Sequence, residues 1–222
     1  MGPCCLFAAE LSKQLGEVTT WSKYYSSKES KSGVDHHDVE WFATYENMKP
    51  HIDDALKLPS SSSLENNTKQ LVLDVGCGIS HIGPAIARDH PGVFVHCLDV
   101  SVESLRMLAS TAATECSFVK CDVSESLPYA DASVTLVVDK GTTDAVMRGR
   151  EHMVKLTRMF AEQLRVLRRG GSILQVTTDH PEERCEMLRR YCSDDGVAVS
   201  YRELDDVVGS QLPVYLYVIT KT

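Results

Sequence analysis

Two kinds of hydrophobic spacing divide the chain. From Val39 to Leu58, the apolar residues Trp41, Phe42, Tyr45, Met48, Ile52, Ala55 and Leu56 recur at helical intervals. Pro50 falls inside this stripe, where it should bend the helix or split it in two. Ser22 to Asp38, just before it, is polar and Ser-rich and predicts a loop; Pro59 to Thr68, just after it, reads as a linker. Downstream, short apolar runs alternate with amphipathic stretches. Strands are predicted at Leu71–Val75, Val93–Leu98, Phe118–Cys121, Val134–Val138 and Ser172–Thr177. Helices are predicted at His81–His90, Val102–Ala113 and Glu182–Cys192. A longer one carries Met153, Leu156, Phe160, Leu164 and Leu167, with Gly170–Gly171 as its C-cap. Two late strands, near Val197–Leu204 and Pro213–Thr220, have no helix between them and predict a closing hairpin.

Alternation of this kind implies an α/β fold with a largely parallel sheet covered on both faces, made mixed by the hairpin. Such sheets bind ligands beyond the carboxyl ends of their strands, at the topological switch point. Asp99, Asp122 and Asp139 each stand at such an end.

Composition narrows the reading. At 222 residues the chain suits one generous domain. Residues 1–68 are read as an N-terminal extension and helical lid, and 69–222 as the main body of the same structural unit. With 23 Lys+Arg against 31 Asp+Glu, the net charge of −8 argues against a bulk grip on nucleic acid. No apolar run approaches membrane-spanning length. The 8 cysteines are scattered apart from Cys4–Cys5, without C-x-x-C or zinc spacing, so neither a metal site nor a disulfide framework is expected. His36, His37 and Asp38 read as a solvated helix start, because no further ligand pattern accompanies them. The first Arg is Arg88, and Glu10 and Glu17 interrupt the N-terminus, which favours the cytoplasm over mitochondria.

The candidate chemistry begins at Leu71-Val72-Leu73-Asp74-Val75-Gly76-Cys77-Gly78. Gly76 and Gly78 allow a tight turn and close approach of a ligand. Asp99, ending the next strand, lies at the distance where a carboxylate suits ribose hydroxyls. The third glycine of a dinucleotide loop is replaced by His81, and no Walker lysine follows. A nucleoside-containing cofactor without phosphate is therefore favoured. Cys77 reads as a packing residue.

This D-x-G-x-G loop, with its acidic strand ends and two late strands, resembles the class I S-adenosylmethionine methyltransferases. A narrower resemblance lies at Asp139-Lys140-Gly141-Thr142-Thr143-Asp144-Ala145, which is similar to the D-K-G-T-x-D-A signature of methyltransferase-like protein-lysine methyltransferases. Trp21-Ser22-Lys23-Tyr24-Tyr25 and Glu40-Trp41-Phe42 match that group's W-x-x-x-Y and [DE]-W-[YF]. The departures are Thr143, where Leu or Trp is usual, and the Ser-rich insertion before Asp38.

The resemblance implies a Rossmann-like sheet of seven strands, mostly parallel, with an antiparallel C-terminal strand. It implies S-adenosyl-L-methionine as cofactor and a monomeric enzyme whose partner is a protein presenting a lysine. Gly76 and Gly78 would pass the methionine portion, with Asp74 holding the loop or its ammonium. Asp99 would take the ribose, Val100 would pack on the adenine, and Asp122 with Val123 would meet its amino edge. Trp21, Tyr25 and Trp41 would cover the cofactor, and Lys140 would touch it through its backbone or stem. Asp139 is the candidate catalytic residue, orienting the incoming amine; its alternative role is to cap the next helix. A small-molecule methyltransferase and a silent protein-binding module are the competing functions.

Overall fold

The computed structural model describes residues 15–29, 40–57, 70–112, 116–192, 196–205, 207 and 212–222. The readings made on Cys4–Cys5, His36–Asp38 and the 59–68 linker lie outside them. Helices α1 (Val18–Glu29) and α2 (Tyr45–Leu56) precede β1 (Gln70–Val75). Then come α3 (Ile82–Asp89), β2 (Val93–Asp99), α4 (Val102–Thr111), β3 (Cys116–Lys120), β4 (Val134–Lys140), α5 (Thr142–Met147) and α6 (His152–Val166). The chain closes with β5 (Leu167–Thr177), α7 (Pro181–Tyr191), β6 (Val197–Glu203) and β7 (Tyr215–Lys221).

The described strands form one seven-stranded sheet in the order β3-β2-β1-β4-β5-β7-β6. Pairs from β3 through to β5 are parallel, while β7 runs antiparallel to both β5 and β6. The chain leaves β1 toward β2 on one side and later returns to β4 on the other. That reversal opens a crevice at the carboxyl ends of β1 and β4.

Period-two alternation sends the two sides of each central strand into separate cores. Val72, Leu136, Val138 and Leu174 pack with Met48 and Ile52 of α2, Ile86 of α3 and Leu108 of α4. Leu73, Val75, Val137 and Ile173 pack with Leu156, Met159 and Phe160 of α6 and Leu188 of α7. Burial on both faces is why β4 reads as an uninterrupted apolar run.

Three local expectations are corrected. Ser22 to Glu29, read as loop, belongs to α1. Serine is only a middling helix former, but Trp21 and Tyr25, one turn apart, stack at 6.1 Å, and α1 packs on α4. The second helix starts at Tyr45 rather than Val39, because Phe42 has a positive φ of 64°. It runs through Pro50 unbroken, the missing amide being offset by full burial of Met48 and Ile52. Gly170–Gly171 does not cap a helix: α6 ends at Val166 and both glycines lie within β5. There the β4–β5 register shifts between Val134 and Leu136, and a side chain on Gly171 would press on the Thr135 carbonyl at 2.8 Å.

Candidate active site

A cavity of about 340 Å³ opens at the crevice between β1, β2 and β4, beneath α1 and the segment leading into α2. Its wall contains Asp74, Gly76, Gly78, Asp99 and Val100 from the first two strand ends, and Asp122 and Val123 from the third. Trp21, Tyr25 and Trp41 line its N-terminal side, and Lys140 lines the β4 end. Every residue assigned to a cofactor from the sequence thus borders one space. Asp139 does not.

The glycine loop is built by backbone geometry. Gly76 and Gly78 have φ of 62° and 56°, in the left-handed region. A Cβ at Gly76 would lie 2.1 Å from Thr142 Oγ1, and one at Gly78 would lie 2.4 Å from Tyr25 Oη. Asp99 fastens this loop to β2: Oδ2 accepts from the Gly78 amide at 2.8 Å and Oδ1 from the Ser101 amide at 2.8 Å. The Ser104 hydroxyl and the Val100 amide also act on this carboxylate. Burial holds its carboxyl above the ordinary range, while the Ser101 and Gly78 amides pull it back.

Asp74 is buried behind the loop, where Oδ2 accepts from the Gly83 amide at 3.2 Å. Burial pushes its carboxyl up to about 7; nearby Lys140 opposes this shift and Glu40 adds to it. Burial likewise pushes the Cys77 thiol up to about 11, leaving it a neutral packing group. Asp122 Oδ1 accepts from the Ser124 amide and hydroxyl at 2.9 and 2.6 Å. Trp21 donates from Nε1 to the Leu15 carbonyl at 2.7 Å, and its ring meets Trp41 edge-on at 6.1 Å. Three carboxylates and an aromatic wall, without a phosphate cradle, suit a cationic nucleoside cofactor.

At the β4 end, two aspartates divide the work. Asp139 is fully buried. Its Oδ1 accepts from the Thr142 and Thr143 amides at 3.0 and 3.1 Å, and its Oδ2 from Thr143 Oγ1 and Gln175 Nε2 at 2.5 and 3.2 Å. This is the helix-capping geometry. Asp144, one turn later, lines the cavity instead. Lys140 donates from its ammonium to Glu40 Oε2 at 3.0 Å and to the Trp41 carbonyl at 3.0 Å. Glu40 also accepts from Ser80 Oγ at 3.0 Å and the His81 amide at 3.1 Å. The segment entering α2 is thereby latched to both the glycine loop and β4.

The methyltransferase-domain family matches residues 72–171. A citrate synthase-lysine N-methyltransferase of Danio rerio, named as mitochondrial, is 30% identical over 193 residues, covering 82% of this chain and 74% of the relative. The chain belongs to the class I S-adenosylmethionine-dependent methyltransferases. Its cofactor is S-adenosyl-L-methionine. The eEF1A lysine and N-terminal methyltransferase of Homo sapiens is 26% identical over 227 residues, 95% of this chain but 29% of that longer protein. Among solved structures, a SAM-dependent methyltransferase of Leishmania major has a TM-score of 0.63 at 16% identity, covering 97% of this chain and 89% of that one. That likeness is one of fold.

Four residues in and around this methyltransferase's site were not singled out from sequence. Glu40 and Asp144 sit inside motifs that were noticed, but nothing in the motifs says which member is latched and which faces the cavity. Thr142 fills the space above Gly76 and donates to the Val75 carbonyl at 2.7 Å. Arg184 has no sequence signal: it stands among the charged residues of α7, yet its side chain is 0% exposed.

Proposed function

We propose that this methyltransferase transfers methyl groups to a lysine side chain of a protein, with elongation factor 1A and citrate synthase as the substrates to test first. The observation that carries the reading is the Asp139–Ala145 motif at the cavity's β4 end, together with relatives named for lysine methylation of those two proteins. Bound S-adenosylmethionine supplies a methyl group already activated on a sulfonium.

The chain's own residues then have positioning roles. Asp99 accepts from the ribose hydroxyls, Asp122 from the adenine amino group, and Val100 and Val123 pack on the base. Gly76 and Gly78 admit the methionine portion close to the backbone, and Asp74 offers its charge to the ammonium. Trp21, Tyr25 and Trp41 exclude water and turn aromatic faces toward the cation. Lys140 contributes its stem to the wall and its charge to the Glu40 latch. Asp139 acts by holding the first turn of α5 in place. Alignment of a near-attack geometry can supply much of the acceleration in a displacement of this kind.

The test is incubation of the purified enzyme and methyl-labelled donor with elongation factor 1A and with citrate synthase, followed by peptide mass spectrometry. The expected result is label on lysine. Label confined to the low-molecular-weight fraction of an extract would favour a small-molecule acceptor, and no transfer to any acceptor would favour the silent binding module.

A further inference from the structure

Trp41 differs from the other aromatic residues of the cavity wall. Tyr25 is 5% exposed, and its hydroxyl fills the place that a side chain on Gly78 would take. Trp21 is half-buried and gives its indole N–H to the Leu15 carbonyl. Trp41 lines the same cavity yet is 38% exposed, so it borders both the donor's space and solvent.

The backbone that carries Trp41 is strained and held from several sides. Phe42 has a φ of 64°, and the Ala43 amide donates to the Trp41 carbonyl at 2.7 Å. Together these close a three-residue γ-turn of the rare, positive-φ kind. A bulky aromatic residue gains nothing locally from that conformation, which persists only where its surroundings over-determine it. Here they do. Glu40 accepts from Ser80 Oγ, the His81 amide and the Lys140 ammonium, and Lys140 also donates to the Trp41 carbonyl. The Phe42 ring lies against Gly141, where an added Cβ would come within 2.6 Å of its Cε2. These anchors hold the residues on either side and the main chain of Trp41, and they leave its side chain at the rim of the β4 end. Backbone strain of this kind clusters at ligand-binding sites.

We infer that Trp41 is a specificity-determining residue for the acceptor: beyond its part in covering the donor, its ring receives the stem of the target lysine at the cavity mouth. This rests on the lysine reading above. On that reading the ends of β1, β2 and β3 hold the donor, with Tyr25 and Trp21 over it. The acceptor is left the β4 end, where Lys140 and Phe42 station Trp41. Lysine carries a flexible four-carbon stem that packs along apolar surface while its charged tip stays in water. An indole offers a broad face to such a stem and also attracts the cationic tip. The lysine is thereby gathered at the rim before its amine, deprotonated, reaches the methyl group.

The test uses Trp41→Ala, Trp41→Leu and Trp41→Phe in the full chain. Donor affinity is read by isothermal titration with S-adenosylmethionine. Acceptor KM and kcat are read at saturating donor on elongation factor 1A, citrate synthase or whichever protein of an extract wild type labels on lysine. W41A and W41L should raise acceptor KM about 10-fold or more, with kcat and donor Kd within about fivefold of wild type. W41F, which retains an aromatic face, should bring acceptor KM back to within about threefold. A merely structural role would move donor Kd and acceptor KM together and would not separate Leu from Phe. An unchanged acceptor KM in W41A overturns the inference and leaves the lysine reading standing, and so do equal values for W41L and W41F. Loss of donor binding in step with transfer assigns Trp41 to the donor or to the fold and likewise overturns it. A wild-type enzyme that binds donor yet labels no lysine overturns both.

Discussion

At the scale of single residues, the site is a compromise between burial and charge. Asp74 shows it most clearly. Its carboxyl titrates near 7 in the folded protein, against 3.8 as its ordinary value. Between those values the folded chain retains a proton that the unfolded chain has lost. This group's stabilising contribution is therefore complete below about 3.8, declines as pH rises, and is gone above about 7. Asp74→Asn should raise the melting temperature of the cofactor-free enzyme at pH 8, on the order of 5 °C, and flatten that pH dependence in calorimetry. The same substitution should weaken S-adenosylmethionine binding, and wild-type affinity should itself improve as pH rises through 7. Gly78→Ala tests the loop: at φ 56° an added Cβ lies 2.4 Å from Tyr25 Oη, so donor binding should fall with the Tyr25 wall displaced. The residues at the cofactor end were legible because their spacing is fixed by strand ends and a tight turn. The β4 end was less so. Two aspartates in one motif have the same chemistry, and only the direction of α5 decides that Asp139 is sealed in while Asp144 borders the cavity.

At the scale of elements, the buried strands and the longer helices from β1 onward follow the hydrophobic pattern, since burial on one or both faces dictates it; the short α5 was not read from the pattern, and β6 is exposed along nearly its whole length. The failures fall where tertiary contacts outweigh local preference. Helix α1 is polar by composition and owes its conformation to the Trp21–Tyr25 pair and to α4. The glycines after α6 serve a shifted strand pairing that no local rule can read. The latch between the N-terminal segment and β4 was equally invisible, because Glu40 and Lys140 are a hundred residues apart in sequence. Their pair is largely shielded, with side chains 22% and 7% exposed. Glu40→Gln should therefore cost about 2 kcal/mol, lowering the melting temperature by about 4–8 °C. It should also speed donor release in stopped-flow measurements.

At the scale of the whole molecule, the N-terminal elements and the sheet act together: the first supplies a wall, the second supplies the strand ends. The count of seven strands and the antiparallel C-terminal strand came from the family resemblance; the hydrophobic pattern alone implies a mixed sheet without ordering its strands, and the order with its reversal beside β1 emerges only in the structure. Because the cavity joins both parts, ligand binding should stabilise the molecule globally. S-adenosylmethionine at about 100 times its Kd should add about 2.7 kcal/mol, seen as a rise of about 5–10 °C in melting temperature. The measurement that tests the account most directly is isothermal titration of S-adenosylmethionine into wild type and Asp99→Ala. Asp99 both fastens the glycine loop and faces the ribose, so wild type should bind one donor per chain and D99A should bind at least about 100-fold more weakly. Absence of binding to wild type, or equal binding to D99A, would contradict the account.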